Sequence, residues 1–69
     1  MPDEPESDLA MVARHVAEGR RIVDAQRKRI AKLKIDGHET FRHEEMLRVL
    51  ENTLRIFEDH QRQLGGGKL

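Results

Sequence analysis

The chain contains no cysteine, tryptophan or tyrosine. Without thiols there is neither a disulfide framework nor a thiolate metal site, so the usual cross-links of small domains are excluded. The two phenylalanines are the only aromatic side chains, which leaves little ring surface on which a nucleic-acid base could stack. Both prolines, Pro2 and Pro5, precede residue 6, and nothing after them breaks a helix as an internal proline would. No stretch approaches the ~20 apolar residues that a membrane-crossing helix needs. The opening Met1-Pro2-Asp3-Glu4-Pro5-Glu6 is acidic where a secretory signal is basic and then apolar. These features predict a cytoplasmic protein with no membrane association. A surplus of one charge is also missing: thirteen Lys and Arg balance thirteen Asp and Glu, so no net field draws in a polyanion.

What the 69 residues do have is charge and heptad periodicity. Charged side chains make up 38%, a composition typical of coiled coils and long surface helices. The break Ile35-Asp36-Gly37-His38-Glu39-Thr40 separates two helical patterns. Gly37 can adopt the left-handed conformation that ends a helix, and the Thr40 hydroxyl is expected to cap the next one by accepting a backbone N–H. The spacing predicts an acidic leader over 1–7, a helix over about 8–35, a turn over 36–40, a helix over about 41–64 and a flexible glycine-rich tail over 65–69. The fold class is therefore all-α, an antiparallel, coiled-coil-like two-helix hairpin.

In the first helix, Leu9, Val16, Val23 and Ile30 fall at heptad position a, and Val12, Gly19, Gln26 and Leu33 at d. In the second, Leu47, Leu54 and Gln61 fall at a, and His43, Leu50, Phe57 and Leu64 at d. The expected hairpin seam is thus Val16, Gly19, Val23, Gln26, Ile30, Leu33, Leu47, Leu50, Leu54 and Phe57. Folding at Gly37 predicts Phe57 over Gly19, Leu50 near Gln26 and Leu47 near Ile30. A mid-helix glycine costs roughly 1 kcal/mol against alanine, which implies that a bulky side chain presses on it. The e positions give an independent register: Arg20, Arg27 and Lys34 should face Glu58, Glu51 and Glu44. Matched signs of this kind disfavour parallel or slipped pairing.

A second apolar stripe runs along the opposite flank: Met46, Val49, Thr53, Ile56 and His60 on helix two, with Ile22, Met11 and Ala25 on helix one. Two helices alone cannot bury both stripes, and a contiguous exposed apolar patch calls for a partner. The simplest is a second copy, giving a homodimeric four-helix bundle with Ile22, Met46, Val49, Thr53, Ile56 and His60 at the dimer interface.

Candidate chemistry is sparse. Of the four histidines, His15 and His60 both occupy g positions and the hairpin should bring them together. Metal binding needs three or four converging ligands, and no two histidines lie three or four apart on one helix. No Glu-x-x-His pattern precedes His15, His43 or His60. No metal and no cofactor is therefore expected. Ser7 is the only serine, and the carboxylates are spaced for pairing with basic residues along a solvated face, so no catalytic residue is assigned. Nucleic acid is the alternative ligand: Arg14, Arg20, Arg21, Arg27, Lys28, Lys32 and Lys34 form a basic ridge, with Arg48, Arg55 and Arg62 along one edge of helix two. Three of these are committed to the glutamate row, and no third helix supports a recognition helix, so this reading is not favoured.

The run His15-Val16-Ala17-Glu18-Gly19, followed by Gln26, Ile30, Leu33 and the turn Asp36-Gly37-His38-Glu39-Thr40, resembles a group of short bacterial proteins. They share an HVAEG…Q…I..L…DGH.T pattern ahead of an acidic segment and a leucine-rich second helix. The resemblance covers roughly residues 9 to 64. It implies a bacterial, soluble helical hairpin and carries no activity with it. The expectation is a non-enzymatic, homodimeric protein-interaction or regulatory module, with a nucleic-acid accessory role as the alternative.

Overall fold

The computed structural model describes residues 6–66. Two helices, α1 (Asp8–Ile35) and α2 (Phe41–Gly66), pack against each other as an antiparallel hairpin, with no strand among the described residues. The expected leader falls largely outside the described residues; of it, Glu6 and Ser7 are seen.

α1 begins where local chemistry supplies a partner for its free amides. Ser7 is extended (φ −68°, ψ 159°) and its hydroxyl accepts the Ala10 N–H at 3.0 Å, the usual N-cap arrangement. Glu6, just outside the helix, is gripped by Arg14 through two bonds of 2.6 and 3.2 Å. That hydrogen bond holds the Glu6 carboxyl below its ordinary pKa and ties the entry of the chain to the second turn.

The other end of α1 closes in a Schellman motif. Gly37 is the one described residue in the left-handed region (φ 79°), its N–H donates to the Lys34 carbonyl at 3.1 Å, and the His38 N–H donates to Leu33 at 2.9 Å. Two carbonyls that the helix itself leaves unpaired are thereby satisfied. Lys32 and Lys34 lie in this last turn, at the negative end of the helix dipole.

The start of α2 departs from expectation. The Thr40 hydroxyl does not accept a backbone N–H. It donates to the Glu44 carboxylate at 3.2 Å, and the carboxylate of Glu39 takes the Phe41 N–H at 3.0 Å. Thr40 is the one buried polar residue among those described, 9% exposed, so its side chain is turned inward and the outer glutamate does the capping.

Among the described residues the buried apolar side chains are Val12, Val16, Val23 and Ile30, all on α1. Their partners on α2, His43, Leu47, Leu50, Leu54, Phe57 and Gln61, are half-buried, as are Gly19, Gln26 and Leu33. Leu9 and Leu64, at the open end, are 43% and 41% exposed. The core is one seam between two rods, and the molecule measures only 14 Å through its thinnest direction.

One local expectation is corrected. Leu54, not Phe57, sits over Gly19, its Cδ1 only 3.1 Å from where a Cβ would stand. Gln26 bonds across the seam, its Nε2 donating to the His43 carbonyl at 2.9 Å. Leu54 lies about one turn closer than Phe57 to the hairpin's bend along α2. The connection is the cause: residues 38–40 are non-helical and return with Thr40 buried before α2 starts. The expected start of the glycine tail is also corrected: Gly65 and Gly66 continue α2, and a Cβ placed on Gly65 would stand 3.5 Å from the Leu9 Cδ1. α2 needs that length to stay alongside the first turn of α1. Residues 67–69 lie outside the described part.

Gly37 has open space around it, with nothing within 4 Å of an added Cβ. Gly37→Ala therefore isolates the backbone effect. A left-handed L-residue costs roughly 1–2 kcal/mol, so the thermal midpoint followed by circular dichroism should fall by about 4–8 °C per kcal/mol lost. An unchanged midpoint would show that the bend does not depend on the Schellman geometry.

A candidate docking face

The hairpin has two long faces flanking its seam, and they differ in kind. On the e side, Arg20 meets Glu58 at 3.1 Å, Arg27 meets Glu51 at 2.7 Å and Lys34 meets Glu44 at 3.0 Å. All three pairs that the heptad register predicts are formed. They roof the shallow depressions over Val23, Ile30, Leu47 and Leu54. The basic partners are about 60% exposed (64%, 59% and 60%), so each pair contributes roughly 0.2–1 kcal/mol and its main effect is on register. At Glu44 the hydrogen bond from Lys34, reinforced by one from Thr40, lowers the carboxyl pKa.

The g side carries no such roof. Ile22 is 47% exposed, Met46 52%, Val49 59% and Ile56 67%, with Thr53 and His60 also exposed beside them. Between the helices on this side lies an open groove of about 330 Å³ whose floor is Gly19, Leu50, Leu54 and Phe57 and whose walls include His15, Ile22 and Thr53. The groove exists because Gly19 brings no side chain to the seam at this level.

The His15 imidazole packs edge-on against Phe57, with ring centroids 5.1 Å apart and planes at 65°, a favoured aromatic geometry. Among the described residues no group of three or more His, Asp or Glu could hold a metal ion. Within the groove the ionisable groups are His15 and Glu18.

The basic ridge is largely spoken for. Arg14 pairs with Glu6, Arg20 with Glu58, Arg27 with Glu51, Lys28 with Asp24, Lys32 with Asp36 and Lys34 with Glu44. Of the seven cations on α1 that suggested a phosphate-binding surface, six thus have a carboxylate neighbour, and Arg62 pairs with Asp59. Two residues with structural roles went unassigned from sequence. Glu6 lies before the helix, where heptad spacing has no reach, and Gly65 was set aside as tail. A carboxylate eight residues before Arg14 was the one available sign of the first.

No family model matches the chain, and no curated protein or solved structure is similar to it at a significant level. No helix of the described residues is long and apolar enough to cross a membrane.

Two predictions follow from this geometry. Gly19→Ala gains helix propensity of about 1 kcal/mol and meets only the terminal methyl of Leu54, which borders the open groove and can yield. Its thermal midpoint should rise, whereas Gly19→Phe, which must displace Leu54 altogether, should lower it by an overpacking cost of roughly 1–3 kcal/mol. Equal destabilisation by both would mean that Leu54 cannot move. Acid acts on the other face. Glu44 and Glu6 both titrate below their ordinary value of 4.5 in the folded chain, so the stability they add is present above that pH and is lost as pH falls through their lowered pKa values. The midpoint should drop on acidification below about pH 4.5, and Glu44→Gln should flatten that drop.

Proposed function

We propose that the protein is a non-enzymatic, homodimeric protein-interaction or regulatory module, and that it works in the cytoplasm. The observation that carries this reading is the asymmetry of the two faces. One is closed by three cross-helix ion pairs, and the other leaves Ile22, Met46, Val49 and Ile56 about half exposed or more around an apolar groove. Exposed aliphatic side chains grouped at helical spacing are the mark of a contact surface. A second copy offers the same surface in self-complementary form, so a two-fold dimer buries both at once in a four-helix bundle. A chain of this size without disulfide or metal gains stability by such association. The remaining, charged outer surface is then free to meet a further protein.

A nucleic-acid accessory role has less support, since most of the α1 ridge is engaged with carboxylates. Sedimentation velocity tests the proposal directly. The chain should run at twice its 8.0 kDa mass, and Ile56→Asp, which puts a charge on the most exposed of the four aliphatic side chains, should shift it to monomer. A dimer that survives this substitution would place the interface elsewhere. Salt-sensitive retardation of labelled DNA or RNA would favour the alternative reading.

A further inference from the structure

The docking face has a symmetry of its own. On α2 its apolar stripe is Met46, Val49, Thr53, Ile56 and His60, spaced three, four, three and four, so it reads nearly the same in both directions about Thr53. On α1 the single large aliphatic residue in the middle of the face is Ile22, 47% exposed, which shares the groove wall with Thr53. Charge is distributed in the opposite sense, because it is unlike at the two ends. Toward the bend stand Arg29, Lys32 and Arg42, all exposed. Toward the open end stands Glu18, also exposed. Arg29, Arg42 and Glu18 have no ion-pair partner among the described residues of their own chain.

Two two-fold arrangements bring the two faces together in a four-helix bundle. With both bends at the same end, six cations gather there and Arg29 lies over the partner's apolar stripe, where a charge has no compensating neighbour. The other arrangement sets α1 antiparallel on the partner's α1 and α2 antiparallel on the partner's α2, with the bends at opposite ends. Then Val49 meets Ile56, Thr53 meets its own copy, Ile22 meets its own copy, and Glu18 comes within side-chain reach of Arg29. Apolar groups face apolar groups, and opposite charges are brought close, which fixes register more than it adds affinity.

From this complementarity we infer that the chain dimerises head to tail, with the two-fold axis at the level of Ile22 and Thr53, and with α2 lying on the α2 of a second copy. The inference rests on the homodimer reading above and assigns its partner surface, orientation and axis. Each bend stands about sixteen residues from that axis, which at ~1.5 Å per helical residue separates the two bends by roughly 48 Å. The parallel-ended arrangement would instead hold them within about 10–20 Å, one or two interhelical spacings.

The full chain, free of native cysteine, suits site-directed labelling. His38 is exposed in the bend. A nitroxide on His38→Cys should give an electron–electron distance near 50 Å in the dimer, and Thr53→Cys should form a disulfide-linked dimer under mild oxidation while His38→Cys does not. A dimer with a short His38 distance overturns the orientation while leaving the dimer itself standing. A long His38 distance without a Thr53 cross-link overturns the pairing of α2 with α2. A helical monomer in sedimentation overturns the homodimer reading and this inference with it.

Discussion

Two helices lying side by side can bury one stripe of each, and the rest of this molecule is a response to that limit. α1 commits Val12, Val16, Val23 and Ile30 to the seam, while α2 wraps the seam with side chains that stay half-exposed. A second layer, which most domains use to cover the outer face of the first, is absent from a hairpin 14 Å thick. Four buried aliphatic side chains among the described residues form a thin core for helices of 28 and 26 residues. The apolar surface left on the g side is therefore a requirement carried by the sequence and not a defect in its packing.

The two faces divide the labour of specificity. The e-side ion pairs are too exposed to contribute much stability, but each is formed by oppositely charged residues at matching heptad positions, so a slipped or parallel hairpin loses all three together. They also reach further along the axis than the seam contacts do. Helical side chains lean toward their own N-terminus, so in an antiparallel pair Arg20 leans to the open end and Glu58 leans back toward the bend. The two meet although their Cα atoms are offset by about a turn. On the g side no such row exists, and the residues there are aliphatic, small or unpaired in charge. Along the middle of that face the large exposed side chains are Ile22, Met46, Val49 and Ile56, and charge stands only toward its ends.

The sequence made the helical hairpin and its charge row legible because both rest on period and sign, which survive a displacement of a residue or two. Seam partners do not survive it. The prediction of Phe57 over Gly19 assumed a symmetric bend, whereas the non-helical return through Thr40 moves α2 by about one turn, and Leu54 takes the place. Thr40 itself was recognised as a boundary residue, yet its hydroxyl donates to Glu44 while Glu39 caps, since burial of the threonine left the outer carboxylate nearer the free amide. Gly65 and Gly66 read as tail on propensity alone; their place in α2 brings Gly65 near Leu9, a proximity between the two ends of the chain that no local pattern encodes. The exposure of Ile22, Met46, Val49 and Ile56 follows from the same heptad count that found the seam, whereas the groove beside them does not, because it depends on which side chain leans over Gly19.

Gly19 connects these observations. A glycine in mid-helix weakens α1, and any residue with a side chain at that d position would have served the seam in the ordinary way. Its absence lets the Leu54 methyl approach to 3.1 Å from the missing Cβ. With the seam filled from α2 alone, Phe57 is released to the g side, where it packs on His15 and forms the floor of the groove with Leu50. The same vacancy that admits Leu54 therefore hollows the face that is left open. Stability of the hairpin and the shape of its open face both depend on this one position, and a larger residue there could favour the first only by filling the second.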